Sequence, residues 1–164
     1  MTTSTTATSS GLLVLRLGVG TIMAVHGTQK LFGWFDGGGL DGTDRFFTAS
    51  GYPSGRMFPL LAALSETLGG IGLILGVLTP LAAAAILGTM LNAISVKWGS
   101  FFAPNGVEYE VILAVAAASL ALTGAGAFAL DRFLPGLRNY KLSYGIAAIA
   151  LAFIAAGITL LIRN

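Results

Sequence analysis

Several ionisable side chains lie inside long apolar runs of the sequence, where a charge is costly and usually serves a purpose. The first run contains Arg16, His26 and Lys30. At 100° per residue, these three side chains fall within an arc of about 80° on one face of a helix. Histidine titrates near neutral pH, so a histidine on such a polar stripe is suited to exchanging protons with a bound ligand.

A carboxylate in the second apolar run is placed to face this stripe. Glu66 has an expected depth of about 16 Å from the amino-terminal membrane face, counted at 1.5 Å per residue. That depth lies between Arg16 and His26, so we expect Glu66 to reach one or the other. An ionisable pair at mid-membrane is by default a candidate functional site. We therefore predict that His26 and Glu66 are the catalytic residues.

Further polar groups occur where the third run ends and the fourth begins. Asn92 lies near mid-membrane, and Lys97 lies near the opposite face from the amino terminus. Glu108 and Glu110 begin the next run at nearly the depth of Lys97 and Lys30, so two lysines are expected to meet two glutamates. Pairing makes such charges tolerable in a medium of low dielectric constant.

These patterns allow two interpretations of the polar cluster. In the first, the cluster binds a cofactor or substrate, and the residues predicted to contact it are Arg16, Lys30, Asn92, Lys97, Glu108 and Glu110. In the second, the charges are buried salt bridges that hold antiparallel helices in register and perform no chemistry. The sequence leaves both open.

The composition places this cluster in a membrane. Only 10% of the 164 residues are charged and 55% are hydrophobic, whereas roughly a quarter of the residues in a soluble domain are charged. A net charge of +2 is too small for a nucleic-acid-binding surface. The chain has no cysteine and one histidine. We therefore expect neither a metal site nor a cluster ligated by cysteines.

The apolar runs predict an all-α membrane protein, because each is near the 20 residues or so that cross a bilayer as a helix. We predict transmembrane helices at 11–35, 57–78, 80–102, 108–130 and 143–162. The corresponding division of the chain is a polar tail at 1–10, a core at 11–133, and a linker with the fifth helix at 134–164. Between the first two spans, the segment Arg45-Phe46-Phe47 is expected to form a short interfacial helix.

Two further patterns bear on orientation and association. Arg132, Arg138 and Lys141 share one short loop on the same side as the amino terminus, which favours a cytoplasmic amino terminus. Small residues recur along the second span at Ser65, Gly69, Gly72 and Gly76. Such a face permits close helix packing. The lipid-facing surface is large, so we expect a homo-oligomer or a complex with other membrane or redox subunits.

A set of short motifs runs from the first span to the loop after the fourth. They are Arg16-Leu17-Gly18, His26-Gly27-Thr28-Gln29-Lys30-Leu31-Phe32, Glu66 with Gly69-Gly70, Leu78-Thr79-Pro80, Phe101-Phe102-Ala103-Pro104-Asn105-Gly106 with Glu108-Tyr109-Glu110, and Leu122-Thr123-Gly124 with Leu130-Asp131. As a set, they resemble the DoxX family of bacterial membrane proteins over residues 12–133. The resemblance implies a four-helix membrane bundle in the bacterial inner membrane, and the fifth helix lies beyond it.

The resemblance also implies quinone-linked redox chemistry, since relatives in the family include a subunit of an archaeal thiosulfate:quinone oxidoreductase. We therefore predict an integral membrane subunit of a redox-linked complex that interacts with quinone through the buried polar cluster. Whether the chain itself catalyses a reaction stays open. A non-catalytic membrane anchor or assembly scaffold is the main alternative. A small transporter is disfavoured because five helices are few and no inverted repeat is visible.

Overall fold

The computed structural model describes residues 3–104 and 106–163, and the regular structure of these residues is entirely helical. The predicted all-α membrane bundle is confirmed. Six α-helices and one short 3-10 helix at Leu130–Phe133 follow one another along the described chain. The α-helices are α1 (Thr3–Phe32), α2 (Gly39–Ala49), α3 (Met57–Leu75), α4 (Thr79–Val96), α5 (Glu108–Thr123) and α6 (Leu142–Ile162).

Four of these helices are long and apolar enough to cross a bilayer. They are α1 over Thr5–Phe32, α3, α4 and α6. The remaining predicted span corresponds to α5, which has 16 residues and is therefore about 24 Å long at 1.5 Å per residue. It packs against α1, α4 and α6. The four-helix core thus consists of α1, α3, α4 and α5, and α6 is the additional helix expected beyond it.

The boundaries of several spans differ from those predicted. The span predicted at 80–102 ends at Val96, and the span predicted at 108–130 ends at Thr123. Soon after these ends come Gly99 at φ +91° and Gly124 at φ +73°. A right-handed helix cannot continue through such angles, so the apolar residues beyond them form turns. Conversely, α1 extends into the polar tail and begins at Thr3 rather than near residue 11.

The short helix expected around Arg45-Phe46-Phe47 is present as α2, which packs against α1 and α3. The turn that follows it is held by the end of α6. There, Arg163 Nε donates a hydrogen bond of 2.7 Å to the carbonyl oxygen of Ser50. A second guanidinium nitrogen of Arg163 lies 3.3 Å from Ser95 Oγ. Arg163 therefore joins α6 to the turn after α2 and to the end of α4.

Helices α1 and α3 lie in direct backbone contact. A Cβ atom added to Gly20 would lie 2.7 Å from the carbonyl oxygen of Gly70, and one added to Gly27 would overlap the backbone of Thr67. Small residues of this kind let two helices approach closely in lipid, where van der Waals packing drives their association. The contact fixes which residues of the two antiparallel helices lie at the same depth.

The end of α3 is capped by a buried arginine. Arg16 is fully buried and donates hydrogen bonds to the carbonyl oxygens of Leu73 at 3.0 Å and Ile74 at 3.5 Å. It also donates to the carbonyl oxygen of Phe128. The last carbonyl groups of a helix have no partner within the helix, and a cation is favourable at that end of the helix dipole. Arg16 therefore meets both requirements.

The beginning of α4 is capped by a buried aspartate, Asp131. The carboxylate of Asp131 accepts hydrogen bonds from the backbone N–H groups of Leu78 at 2.6 Å and Thr79 at 3.0 Å. Its own backbone N–H donates to the carbonyl oxygen of Gly76 at 2.8 Å. An anion is favourable at the amino end of a helix. Arg16 and Asp131 together hold the α3–α4 turn from both sides.

We predict that Gly76→Ala destabilises the protein by about 2–4 kcal/mol. Gly76 has φ +65°, and an added Cβ would overlap the Arg16 guanidinium and the side chain of Ala129. The free energy of unfolding can be measured by titrating the purified protein with a denaturing detergent. The matched control is Gly157→Ala in α6, where an added Cβ meets nothing within 4 Å. A loss of stability as small as that of the control would contradict the prediction.

Candidate functional site

A cavity of about 540 Å³ lies within the bundle, and side chains from all six α-helices line it. Ligand-binding pockets in proteins are commonly of about 300–1,000 Å³. Most of the lining residues are apolar, and a group of polar side chains is concentrated in one part of the lining. Six of the predicted site residues belong to it: His26, Lys30, Glu66, Asn92, Lys97 and Glu110.

The first ion pair in the cavity joins α1 to α3. Lys30 Nζ lies 2.5 Å from Glu66 Oε2, and the Glu66 side chain is 3% exposed whereas that of Lys30 is 27% exposed. We expected Glu66 to reach Arg16 or His26, and this expectation was wrong. The backbone contact between α1 and α3 sets a register in which Glu66 lies nearer the end of α1 than a uniform count of residues from the membrane face suggests.

The second ion pair joins the end of α4 to the beginning of α5. Lys97 Nζ lies 2.6 Å from Glu110 Oε1, and the Glu110 side chain is 9% exposed. The other carboxylate oxygen, Oε2, is buried and has no hydrogen-bond partner among the described residues. The expectation that two lysines meet Glu108 and Glu110 is therefore confirmed for Lys97 with Glu110 and was wrong for Lys30, which pairs with Glu66.

His26 contacts the tyrosine of the same motif. Its Nε2 lies 3.0 Å from the hydroxyl oxygen of Tyr109, and the two ring centroids are 5.8 Å apart. His26 thus joins α1 to α5 at the residue that precedes Glu110 of the second ion pair.

Asn92 forms a third polar group in the cavity wall. Its Oδ1 accepts hydrogen bonds from the hydroxyl groups of Tyr52 and Thr159, each at 2.8 Å. Burial raises the pKa of the Tyr52 hydroxyl, and the nearby Arg163 opposes this shift to a smaller degree. Tyr52 therefore stays protonated and remains a donor at neutral pH. Through Asn92, α4 is joined both to α6 and to the loop that follows α2.

Two predicted site residues do not line the cavity. Arg16 caps α3 at the α3–α4 turn, and its partners are backbone carbonyl groups. Glu108 accepts a hydrogen bond from the backbone N–H of Phe102 in the turn before α5. The structure therefore brings six of the eight predicted residues to one cavity and places these two elsewhere.

Small residues line the part of the cavity between α3 and α6. These two helices both pack on α4, and between them the lining includes Ala62, Ala85, Gly88 and Ala155. The neighbouring lining residue Leu61 is 51% exposed. The cavity thus reaches the exposed surface of α3.

Sequence reasoning missed two tyrosines of the cavity, Tyr52 and Tyr109. An aromatic residue near the membrane boundary is typical of the interfacial belt, so its type alone does not mark Tyr109 as a cavity residue. Tyr109 lies between the two glutamates of its motif, and that position is the signal that could have identified it. For Tyr52, no signal in the sequence indicates a partner as distant along the chain as Asn92.

A membrane bundle with an internal cavity and paired charges is the class of protein that these observations define. Residues 11–98 match the model of the DoxX family. The chain belongs to the DoxX family. Among the described residues, no three His, Cys, Asp or Glu side chains lie together in a group that could hold a metal ion.

Two relatives support this assignment. The chain is 34% identical over 135 residues to "Putative oxidoreductase CatD" of Bacillus subtilis (strain 168), which covers 81% of this chain and 94% of that protein. It is 32% identical over 129 residues to "Inner membrane protein YphA" of Escherichia coli (strain K12), which covers 74% of this chain and 88% of that protein. No solved structure shows a significant match.

We predict that Lys97→Met destabilises the protein by about 2 kcal/mol, because it leaves the Glu110 carboxylate buried without its cation. The free energy of unfolding is measured by denaturing-detergent titration. The matched control is Arg56→Met, which breaks an ion pair of the same length, 2.6 Å, whose side chains are 67% and 71% exposed. Exposed pairs contribute at most about 1 kcal/mol. Equal effects at the two positions would contradict the prediction.

Proposed function

We propose that this protein is an integral membrane subunit of a redox-linked complex and that its cavity binds the ring of a membrane quinone. The observation that carries the proposal is the combination of two ion pairs and a histidine in the wall of a single, largely apolar cavity. Buried charges that served only to hold helices together would need no such space beside them.

The shape and lining of the cavity favour an amphiphilic ligand. A quinone has a polar ring and a long apolar tail, and the cavity has a polar cluster that continues into a region of small residues between α3 and α6. The ring would lie beside His26 and Glu66, and the tail would lie along Ala62 and Ala155. A water-soluble substrate would have no use for the second region.

Within this site, we assign proton exchange with the ring to His26 and Glu66. An imidazole can pass a proton at neutral pH, and Tyr109 at 3.0 Å holds its Nε2 in place. Lys30 and Lys97 would position the ring oxygens and balance charge as protons move. Asn92 would keep the wall formed by α4 and α6 in place.

Electrons would reach the ring from a partner subunit or a bound cofactor. The name of the Bacillus subtilis relative contains the word oxidoreductase, which supports a redox role for the complex. The name of the Escherichia coli relative supports the inner membrane as the location of this protein. We further propose a cytoplasmic amino terminus, which rests on Arg132, Arg138 and Lys141 in one short loop.

We predict that His26→Ala and Glu66→Gln each weaken quinone binding by about tenfold, the loss that corresponds to about 1.4 kcal/mol for a hydrogen bond to a charged group. The measurement is a titration of the purified protein in lipid nanodiscs with a decyl-tailed benzoquinone in either redox state.

The control for this titration is Ser119→Ala, which removes an exposed hydroxyl of α5 that bonds only to the carbonyl oxygen of Val115 among the described residues. We expect this variant to bind the ligand as the wild-type protein does. Unchanged affinity in both His26→Ala and Glu66→Gln would overturn the proposal and favour a membrane scaffold.

We also predict that Ala155→Phe weakens binding of the decyl-tailed ligand by about tenfold, because the phenyl ring would fill the region between α3 and α6. Binding of the same ring without a tail should stay unchanged. Ala147→Phe, at an exposed position of α6 outside the cavity, is the control and should alter neither affinity. Equal losses for the tailed and tail-less ligands would contradict this placement of the tail.

A further inference from the structure

Only one oxygen of the Glu110 carboxylate has a hydrogen-bond partner among the described residues. Its Oε1 binds Lys97 at 2.6 Å, whereas Oε2 is buried and has no hydrogen-bond partner among the described residues. The Glu110 side chain is 9% exposed, and the residue lines the cavity. Buried polar atoms nearly always have a partner, and an unpaired carboxylate oxygen is costly in a medium of low dielectric constant.

The missing partner must be a hydrogen-bond donor, because an ionised carboxylate can only accept. This requirement separates the two redox states of the ligand. A quinone ring offers carbonyl oxygens, which are acceptors, and one of them beside Glu110 Oε2 would place two acceptors against each other. The reduced ring offers hydroxyl groups, and a hydroxyl can donate to this oxygen.

We propose that the cavity selects the reduced, dihydroxy form of the ring and that one ring hydroxyl donates a hydrogen bond to Glu110 Oε2. The inference rests on the proposed function and makes Glu110 the residue that determines which redox state is preferred. The oxidised form would bind without this hydrogen bond, and therefore more weakly.

Other groups of the cavity lining can also bind the ring oxygens. Lys30 Nζ carries three N–H groups and donates one of them to Glu66 among the described residues, so further N–H groups are available to a ring oxygen. The Tyr109 hydroxyl, which contacts His26, lies in the same cavity. The site thus offers an acceptor from α5 and a donor from α1, which matches a ring that carries two hydroxyl groups.

The first test uses the wild-type protein in lipid nanodiscs under anaerobic conditions. Three ligands share one ring and one decyl tail: the dihydroxy form, the oxidised quinone, and the dimethyl ether of the dihydroxy form. We expect the dihydroxy form to bind about tenfold more tightly than either of the others. The ether keeps the shape of the reduced ring and lacks its donors. Equal affinities for the ether and the dihydroxy form would overturn the inference.

The second test removes the carboxylate. Glu110→Gln replaces one oxygen by an amide nitrogen, which can donate to a quinone carbonyl, so we expect the preference for the dihydroxy form to shrink from about tenfold to about twofold or less. The control Asp41→Asn removes an exposed carboxylate outside the cavity and should keep the full preference. A preference that persists in Glu110→Gln would overturn the role of Glu110.

The outcomes separate this inference from the proposal on which it rests. If the quinone binds as tightly as the dihydroxy form, the selection of the reduced ring is wrong and the quinone site stands. If none of the three ligands binds the wild-type protein, the quinone site itself is wrong, and the inference falls with it. If Glu110→Gln does not fold, the comparison of the three ligands on the wild-type protein decides the question.

Discussion

The backbone contact between α1 and α3 determines the depth of the polar groups in the cavity. Gly20, Gly27 and Gly70 have no side chains to separate the two helices, and any larger residue at these points would push them apart. The resulting register places Lys30 beside Glu66. A different register would leave a lysine and a carboxylate unpaired in hydrocarbon, at a cost of several kcal/mol for each group. Packing and electrostatics therefore depend on the same contact.

The charges of the bundle separate into two groups with different partners. At the α3–α4 turn, Arg16 and Asp131 bind backbone groups at helix ends. In the cavity, Lys30 and Glu66 bind each other and border open volume. The first arrangement uses charge to end one helix and begin the next. The second keeps charge next to a space that a ligand can enter, which is why the two groups have different functional interpretations.

The sequence predicted the helices and most of the cavity, because both follow from which residues are apolar and which are charged. It could not predict the partner of Glu66, since the pairing depends on a glycine contact whose register no count of residues reveals. Nor could it distinguish Arg16 from the cavity residues. A buried arginine that binds backbone carbonyl groups and one that faces a ligand have the same sequence signature, and the fold alone separates them.

Helix α6 lies outside the segment that matches the family model, which ends at residue 98, and yet it supplies Ala155 and Thr159 to the cavity wall. The charged groups of α1 and α3 come from the matched segment, whereas the walls that α5 and α6 form do not. Proteins that share the matched segment can therefore retain these charges and enclose cavities of different size. In such a family, the carboxyl-terminal helix is a place where the shape of the cavity can diverge while the ion pair between α1 and α3 is kept.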